Sequence, residues 1–558
     1  PKTSSGKISR HQARERWLAG KLELIGEARQ GKPESAAETS GSKEQAASVG
    51  RFGALFHRYG LTGEETGTLG DVGLDSLRIA EFAHDLKAEL EARGNDDLSG
   101  AVDLRLLIKI AVSELFELLE DVAAAAPRAK LRFKRTVLKL QREHQDQEAR
   151  MMRADTRLRF EPSELLARAS SQETARGGIL LTGGTGFFGP FLLKSLLEQC
   201  EDELFVLVRA DGPDAGMQRL REALATVGGP CGVNAPDWER RVRPVCGDLA
   251  KANLGLGQAD WRRLSRQTHT IYHNGALVNY LFDYAAMRDA NVGGTHELIR
   301  LALTDRAKVL NHISTTFVFG WSVKETLLET DTNPDMDHLD FGYSQSKWVS
   351  EQVILKAMRH GLQARIFRPA LLSPSISGEG YNFDISIRLL AFMLKHRIGT
   401  TAKNQVSFSP ADLAADNIVA ISALPGSLGT TCHVTRDTHA TMLDITTILS
   451  RLTGQDFENF TLDDFVPEVI ERCGKDDLLF PLLNFLVRSV SNITAMEFKR
   501  YDNSNFQRFR GQALQGREDP PLEDVVAGIL RFMRERGIVE GGHRLMSLSS
   551  DQRNGPHA

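Results

Sequence analysis

The sequence predicts a small four-helix domain, then an α/β doubly wound parallel sheet of the Rossmann type, and last a smaller, mainly helical C-terminal region. Three observations support this fold class. The 558 residues exceed what one hydrophobic core usually holds, about 100–200 residues, so at least two folded units are expected. Short amphipathic segments fill residues 51–122. From residue 177 onward, short β-prone apolar runs alternate with helical ones, which is the pattern of a parallel sheet covered by helices.

Composition favours a cytoplasmic protein that acts on small or protein-bound substrates. The formal net charge of -4, with 25% charged residues, gives no whole-chain electrostatic case for binding nucleic acid. Five scattered cysteines, never in C-x-x-C spacing, argue against a zinc site or a disulfide framework. No apolar run approaches the roughly eighteen residues that span a bilayer. Because the chain begins at Pro1 without a signal-peptide pattern, we expect a piece of a longer polypeptide.

Changes of composition predict the domain boundaries. Residues 1–30 form a basic segment, 31–48 a linker rich in Ala, Ser, Gly and Glu, and 49–123 the four-helix domain, with helices expected at 52–59, 76–90, 101–110 and 112–119. A charged, helix-permissive stretch at 124–175 is predicted to be a helical linker. The α/β domain and its C-terminal region follow at 176–540, and 541–558 is predicted to be disordered.

Six strands of the parallel sheet are predicted from apolar runs. They fall at 179–182, 204–208, 242–246, 270–273, 308–314 and 364–367. Beyond Ser373 the alternation weakens into longer amphipathic segments such as 389–394 and 478–490. We interpret that region as the mainly helical substrate-binding part.

A glycine-rich turn between the first strand and a helix at 190–199 indicates a dinucleotide site. Gly183, Gly186 and Gly189 would let the backbone turn tightly, approach a pyrophosphate and pack helix against strand. The N-terminus of the following helix supplies N–H donors for the phosphate charge.

The end of the second strand indicates which dinucleotide is bound. An NAD-preferring domain would end this strand in Asp or Glu, but here it ends in Arg209, with Arg219 ten residues on. Cations suit a 2'-phosphate, so the sequence predicts NADPH. Solvated arginines after a strand are the alternative, and Asp211 could still contact the ribose.

Three residues in the later part of the sheet domain form a candidate catalytic group. Thr315 follows the fifth strand, and Tyr343 and Lys347, four residues apart, share one face of a helix. A free tyrosine has a pKa of about 10, and a neighbouring ammonium group is expected to lower the pKa of Tyr343. Thr315 would add a second hydroxyl donor toward a carbonyl oxygen as it gains negative charge.

Six motifs follow one another along the chain: Thr182 to Gly189, Gly247-Asp248-Leu249, His273 to Ala276, Asn291 to Thr295, Ser314-Thr315 and Tyr343 to Lys347. In order and spacing they resemble extended short-chain dehydrogenases/reductases. Three segments are more specific: Leu207-Val208-Arg209-Ala210, Asn274-Gly275-Ala276-Leu277-Val278 and Tyr343 to Trp348. They resemble the thioester reductase domains that terminate nonribosomal peptide, polyketide and carboxylic acid reductase assembly lines. The resemblance covers roughly residues 175–535. A departure is Gly275, where general extended reductases often have Ala.

The resemblance implies roles for individual residues. Thr315, Tyr343 and Lys347 would be the catalytic triad, and Asp248 would lie near the adenine. The implied cofactor-binding residues are Gly183, Thr185, Gly186, Phe187, Phe188, Gly189, Arg209, Arg219, Asp248, Leu249, Asn274, Gly275, Ala276, Lys347 and Pro369.

The four-helix domain contains a candidate attachment site for a prosthetic group. Gly73-Leu74-Asp75-Ser76-Leu77 resembles the site at which a phosphopantetheinyl transferase adds 4'-phosphopantetheine to acyl or peptidyl carrier domains, here on Ser76. A helix N-cap is the alternative role for Asp75 or Ser76. The modified serine would bear a thiol on a flexible arm, which raises the effective concentration of the substrate at a neighbouring site.

The first ten residues indicate an upstream partner. Pro1 to Arg10 resembles the C-terminal end of adenylate-forming enzymes, most closely fatty acyl-AMP ligases, so a fatty acyl-AMP ligase-like adenylation domain is expected upstream in the same polypeptide. In that family a lysine at the position of Lys7 assists adenylation, but without the rest of the domain it has no site here.

The predicted function is the reductive release of a carrier-bound acyl, and more narrowly fatty acyl, thioester with NADPH. Release gives an aldehyde, and a second hydride would give a primary alcohol. Three alternatives stay open: cyclising release without redox chemistry, an NAD(P)-dependent epimerase acting on free sugar nucleotides, and a binding role with an inactive nucleotide site. The presence of Tyr343 disfavours the first, and a fused carrier would be unexplained in the second.

Overall fold

The computed structural model describes residues 51–539, apart from 75, 100–101, 103–106, 108, 170–176, 230–237, 281, 323, 335, 337–338, 340, 382, 484, 487–488, 490–491 and 494–498. The chain divides into two compact units, Pro1–Gln147 and Glu148–Ala558. The predicted segments 1–30 and 31–48 and the predicted tail 541–558 lie outside the described residues.

The helices of the described residues are α1 Gly53–Arg58, α2 Ser76–Ala92, α3 Asp96–Ser99, α4 Val112–Ala123, α5 Ala129–Asp155, α6 Pro162–Arg168, α7 Gly189–Gln199, α8 Pro213–Ala225, α9 Trp238–Arg241, α10 Gln258–Gln267, α11 Tyr284–Arg288, α12 Gly294–Leu303, α13 Gly342–Arg359, α14 Ile385–His396, α15 Ala411–Ser422, α16 Met442–Thr453, α17 Leu462–Arg472, α18 Ser504–Ala513 and α19 Leu522–Glu535. A π-helical turn at Asp289–Gly293 joins α11 to α12.

The strands of the described residues are β1 Gly178–Thr182, β2 Leu204–Val208, β3 Val242–Cys246, β4 Thr268–His273, β5 Val309–Ile313, β6 Thr326–Leu327, β7 Ala364–Pro369, β8 Leu371–Ser373, β9 Ile398–Thr400, β10 Gln405–Val406, β11 Phe408–Pro410, β12 Thr431–Val434, β13 Ala440–Thr441, β14 Glu458–Phe460 and β15 Arg500–Tyr501.

The first unit is helical and has its own apolar core. Three of its four predicted helices are found as α1, α2 and α4, whereas the segment 101–110 lies largely outside the described residues. Phe56 of α1 packs edge-on against Phe82 of α2, with ring centroids 5.3 Å apart. Phe133 and Val137, from the stretch predicted to be a linker, are buried in the same core. That stretch is therefore helical as predicted, but its first half is part of this core.

The second unit is built on a seven-stranded sheet in the order β12-β7-β5-β4-β1-β2-β3, and every neighbouring pair runs parallel. All six predicted strands are present, each with its ends within two residues of the prediction. The strand order reverses direction at β1, which lies between β2 and β4. In open parallel sheets a ligand binds at such a reversal, outside the carboxyl ends of the strands.

The prediction for the region after Ser373 is wrong in one respect, because part of it returns to the sheet. β12 pairs with β7 as the seventh strand, and α15 and α18 cover one face through Ile418 and Phe506. A separate apolar core lies around α14, α16, α17 and α19, which matches the expected helical region. The T-C-H-V run of β12 is too short and too polar to be read as a sheet strand from the sequence.

The end of α5 and the helix α6 belong to the second unit. Asp155 accepts a hydrogen bond from the Tyr284 hydroxyl at 2.8 Å and pairs with Arg288 at 2.5 Å. Lys356 donates to the carbonyl oxygen of Thr156 at 2.9 Å. These buried polar contacts anchor this end of the long helix to the α/β fold.

Two composition-based expectations can be compared with the described part of the chain. No helix there is both long and apolar enough to cross a lipid bilayer. Cys200, Cys246, Cys432 and Cys473 are free thiols, and Cys231 lies outside the described residues.

Candidate active site

The carboxyl edge of the sheet brings the predicted site residues of the second unit together. The loops that follow β1, β2, β3, β4 and β5 all leave the sheet at this edge because the strands are parallel, and Pro369 is the last residue of β7. Hydrogen bonds join these loops. The backbone N–H of Gly275 donates to Thr182 Oγ1 at 2.9 Å, and Asn274 Nδ2 donates to the carbonyl oxygen of Gly183 at 3.3 Å.

The glycine-rich loop after β1 has the shape of a phosphate-binding turn. Gly183 has φ +71°, and a Cβ there would lie 2.6 Å from Gly275 Cα. A Cβ at Gly189 would lie 2.0 Å from the carbonyl oxygen of Gly183, so α7 can begin this close to the loop only with glycine. Gly186 is exposed, and a Cβ there would meet only the Gly183 carbonyl oxygen at 3.5 Å. The three glycines thus fit the roles expected for turn, packing and approach to a pyrophosphate.

Two arginines meet at the end of β2, where the sequence predicts a 2'-phosphate. Arg219, on α8, donates a hydrogen bond to the carbonyl oxygen of Arg209. Partial burial and the nearby charge of Arg209 lower the pKa of Arg219. The positive charge of Arg209 disfavours the charge on Arg219, so an anion bound beside the two side chains would be stabilised.

The other predicted cofactor contacts surround the same edge. Asp248 follows β3 and accepts a hydrogen bond from the backbone N–H of Ala250 at 3.0 Å, which fixes its carboxylate in a turn. A Cβ at Gly275 would lie 2.6 Å from Leu249 Cδ1. The glycine that departs from the usual Ala therefore sits where the loops after β3 and β4 touch.

Thr315, Tyr343 and Lys347 come together as predicted. Thr315 follows β5, and its side chain lies close enough to the Tyr343 hydroxyl to lower the pKa of that phenol. Lys347, one turn further along α13, is buried and donates to the carbonyl oxygen of Ile313 at 2.6 Å. A phenol, a hydroxyl and an amine therefore converge at the carboxyl end of β5.

The expected lowering of the pKa of Tyr343 is outweighed by burial. Burial raises this pKa to about 12, and the side chain of Thr315 only partly opposes the rise. Burial also lowers the pKa of Lys347 to about 7, with Glu351 acting in the opposite direction. The prediction considered only the neighbouring ammonium, whereas both groups lie in a low-dielectric environment that disfavours charge. At neutral pH Tyr343 is therefore a protonated donor.

Several residues beside the site were given no individual role from the sequence. Glu351, four residues after Lys347, forms a buried ion pair with Arg368, and their closest N–O contact is 2.6 Å. Asn291 Oδ1 accepts from the backbone N–H of Leu277 at 2.7 Å, and its Nδ2 donates to Ser346 Oγ at 2.9 Å. Polar residues at the carboxyl ends of strands, or spaced by four along the helix of Tyr343, were the available signal.

An aromatic cluster packs against Tyr343. It contains Trp321, Phe341 and Phe485, with Tyr280 and Phe317 partly buried against them. Phe485 comes from the C-terminal region, and its ring lies 5.5 Å from Phe341 and 5.6 Å from Tyr280, centroid to centroid. The region beside Tyr343 is thus apolar and is closed in part by the C-terminal region.

Ser76 belongs to the first unit. Helix α2 begins at this residue, and Gly73 before it has φ +95°. The side chain of Ser76 and residue 75 lie outside what the structure describes. The predicted attachment of phosphopantetheine at Ser76 therefore stays a prediction.

Comparisons with known proteins agree on the α/β unit. Residues 181–418 match a family model for an NAD-binding domain described as male sterility protein. The chain is 33% identical over 305 residues to a protein of the linear gramicidin synthase from Brevibacillus parabrevis, and the match covers 53% of this chain. The matched part of this chain spans only 6% of the length of that synthetase.

Two solved structures are also similar. The terminal R domain from the myxalamid PKS-NRPS biosynthetic pathway is 30% identical, with a TM-score of 0.64, and the match covers 70% of this chain and 99% of that domain. A thiolation-reductase di-domain from an archaeal nonribosomal peptide synthetase has a TM-score of 0.62 at 18% identity, and the match covers 90% of this chain and 99% of the di-domain. The second likeness concerns the fold alone.

Proposed function

Because this chain belongs to the family of terminal reductase (R) domains of peptide and polyketide synthetases, we propose that it releases an acyl group from a carrier-bound thioester by reduction with NADPH. The observation that carries the proposal is the convergence of Thr315, Tyr343 and Lys347 beside a phosphate-binding turn. Family membership alone gives a nicotinamide-dependent reductase. The carrier, the arm and the choice of NADPH are parts of the proposal.

The two hydroxyls suit the reduction of a carbonyl group. When bound, NADPH supplies the hydride. As the thioester carbonyl carbon gains the hydride, its oxygen gains negative charge, and the hydroxyls of Thr315 and Tyr343 are placed to donate hydrogen bonds to it. Because the pKa of Tyr343 is raised to about 12, its hydroxyl keeps its proton at neutral pH until the oxyanion takes it. As the resulting hemithioacetal collapses, its hydroxyl proton returns to the Tyr343 phenolate and its C–S bond breaks. The aldehyde leaves, and the thiolate takes a proton from water to leave as the thiol.

The choice of NADPH over NADH rests on the two arginines after β2. Arg209 follows β2 and Arg219 donates to its carbonyl oxygen, so both cationic residues lie after the strand whose end would face the ribose, and a 2'-phosphate would offset the mutual repulsion that lowers the pKa of Arg219. The last residue of β2 is Val208, so this strand does not end in a carboxylate. An NAD-selective site would need a carboxylate there to accept from the 2'-hydroxyl.

The acyl group is proposed to arrive on a phosphopantetheine arm at Ser76. A glycine with positive φ and the start of α2 frame this residue, and the surrounding unit has a core of its own. The arm would make delivery an intramolecular event. An upstream fatty acyl-AMP ligase-like domain and a phosphopantetheinyl transferase complete the proposed system.

The aromatic cluster beside Tyr343 favours a fatty acyl group. Trp321, Phe341 and Phe485 pack against one another beside Tyr343 and make its surroundings apolar, so an aliphatic chain that enters there would be removed from water. Burial of each methylene group of a chain against such a surface contributes about 0.8 kcal/mol. An aldehyde is the expected product. A primary alcohol would follow if the aldehyde stays bound for a second hydride.

The proposal is tested by loading Ser76 enzymatically with a long-chain acyl-phosphopantetheine and following nicotinamide absorbance and product together. We expect oxidation of NADPH in parallel with release of an aldehyde or alcohol, and no loading of a Ser76→Ala variant. The Tyr343→Phe variant should lose roughly 100- to 10,000-fold in kcat while it still binds NADPH. Release without oxidation of NADPH would point to cyclisation, and turnover of a free sugar nucleotide would point to an epimerase. Either result would overturn the proposal.

A further inference from the structure

A buried histidine lies directly behind the catalytic lysine. His312, on β5, is completely buried, and its Nε2 lies 3.4 Å from Lys347 Nζ. Lys347 also donates to the carbonyl oxygen of Ile313, the residue after His312, at 2.6 Å. An ammonium group has three N–H bonds, and β5 therefore supplies acceptors for two of them.

The protonation state of His312 follows from its surroundings. Burial and the neighbouring Lys347 lower the pKa of His312 well below its usual range, so the imidazole is neutral. Neutral imidazole accepts at one nitrogen and donates at the other. If Nε2 accepts from the ammonium of Lys347, the proton of His312 lies on Nδ1. Nδ1 has no hydrogen-bond partner within the described part of the chain.

An unsatisfied polar atom in a fully buried side chain destabilises the fold, so His312 is not explained by stability. A leucine or valine would complete the strand without this penalty. What His312 adds is a hydrogen-bond acceptor for Lys347. It stands next to Ile313, whose carbonyl oxygen is the second acceptor of the Lys347 amine.

The groups around Lys347 come from four elements. Tyr343 and Glu351 lie one turn before and after it on α13, and Glu351 raises the pKa of the amine. His273 on β4 lies beside His312, with ring centroids 4.9 Å apart, and both of its ring nitrogens are engaged by Thr182 and Thr295.

The last of these elements is β7, and its charge is already paired. Arg368 of this strand donates to the Glu351 carboxylate through two nitrogens. The positive charge of Arg368 therefore weakens the stabilisation of the Lys347 ammonium by Glu351. His312 is therefore the neutral acceptor that is in contact with Lys347 and free of a competing cation.

We propose that His312 is a positioning residue that keeps the buried Lys347 in its ammonium form during reduction. The inference rests on the proposed function, because it concerns the same site. When Tyr343 gives its hydroxyl proton to the substrate oxygen, the ammonium of Lys347 offsets the phenolate charge that remains. His312 acts only through Lys347, and it neither gains nor loses a proton in the step.

A pair of amide variants tests the role of the acceptor. In His312→Gln the amide oxygen can reach the position of Nε2, whereas in His312→Asn the side chain is one methylene shorter and cannot. In the wild type, kcat/KM for thioester reduction should fall as pH rises through about 7, where Lys347 loses its proton. His312→Asn should move this alkaline limb about one pH unit lower, a tenfold change in the protonation equilibrium, and His312→Gln should restore most of the shift.

A control variant and a second readout complete the test. His296→Gln replaces another buried histidine, whose Nε2 contacts the carbonyl oxygen of Asp155 at 3.2 Å, and should leave the pH profile unchanged. The pH dependence of NADPH affinity, measured by fluorescence, reports on the same amine without turnover. Coincident profiles for wild type, His312→Asn and His312→Gln in both measurements would overturn the role of His312. If the wild type binds NADPH with the expected pH dependence but reduces no thioester, the proposed function fails while the assignment of His312 stands.

Discussion

Substituting alanine for two glycines of the turn after β1 should separate cofactor binding from folding. In Gly186→Ala the new methyl group meets only the Gly183 carbonyl oxygen, at 3.5 Å, which is an ordinary contact. In Gly189→Ala it would lie 2.0 Å from the same oxygen and 2.7 Å from Gly184 Cα. Carbon atoms in contact are normally about 3.5–4.0 Å apart, so the backbone must move in the second variant but not in the first.

The expected magnitudes differ for the same reason. Gly189→Ala should lower the free energy of unfolding by about 1–3 kcal/mol, as for other overpacked sites. Gly186→Ala should change it by less than about 0.5 kcal/mol, as for other surface positions. However, its methyl group points into the exposed space that a pyrophosphate would enter. Losing a hydrogen bond to a charged group costs about 1.5–3 kcal/mol, or roughly 10- to 150-fold in Kd for NADPH.

The assays are urea unfolding followed by tryptophan fluorescence and titration of NADPH followed by nicotinamide fluorescence. Gly186→Ala should unfold at the wild-type urea midpoint and bind NADPH weakly. Gly189→Ala should show a lower midpoint. A Gly186→Ala variant with wild-type affinity would refute the placement of the pyrophosphate, and a Gly189→Ala variant with the wild-type midpoint would refute the packing argument.

Three further predictions concern the surroundings of this turn. Arg219→Ser should lower kcat/KM with NADPH about tenfold more than with NADH, because a charge-assisted contact to the 2'-phosphate is lost; an equal loss with both cofactors would contradict this. Glu351→Met should lower the free energy of unfolding by about 3–5 kcal/mol in urea, because it leaves Arg368 buried and unpaired, and adding Arg368→Met should recover part of that loss. Phe485→Leu should raise KM for long-chain acyl substrates about fivefold, because the smaller side chain buries roughly 1 kcal/mol less of the acyl chain, with Phe532→Leu in the separate C-terminal core as the matched control.

The sheet was predictable because its strands have local signatures. β1 and β2 are continuous apolar runs flanked by glycine or charged residues, and both lie fully buried between helices. The glycine turn and the pair Tyr343 and Lys347 could be identified because their function requires fixed spacing along the chain. These features depend on residues that are close together in the sequence, and for that reason they could be recognised without the structure.

Other features depend on residues that are distant in the sequence. Nothing local to Phe485 indicates that its ring will pack against Phe341. His312 follows Asn311 in β5, and from the sequence its side chain could equally face solvent. The raised pKa of Tyr343 results from burial, which only the assembled fold determines. The pKa of Tyr343 therefore could not be inferred from its spacing to Lys347 along the helix.

The late position of β12 in the chain has a consequence for biosynthesis. β7 pairs with β5 on one side and with β12 on the other. Until residue 434 has left the ribosome, β7 is therefore an open edge strand of the sheet, and apolar side chains that are buried in the finished fold are still exposed to water. Phe506 and Phe509 of α18, which cover this part of the sheet, are translated later still. The nascent α/β unit must therefore remain incompletely folded through most of its own synthesis, whereas the helical first unit can fold as soon as it emerges. A ribosome-stalled chain ending before Thr431 should thus be sensitive to protease in its second unit and resistant in its first.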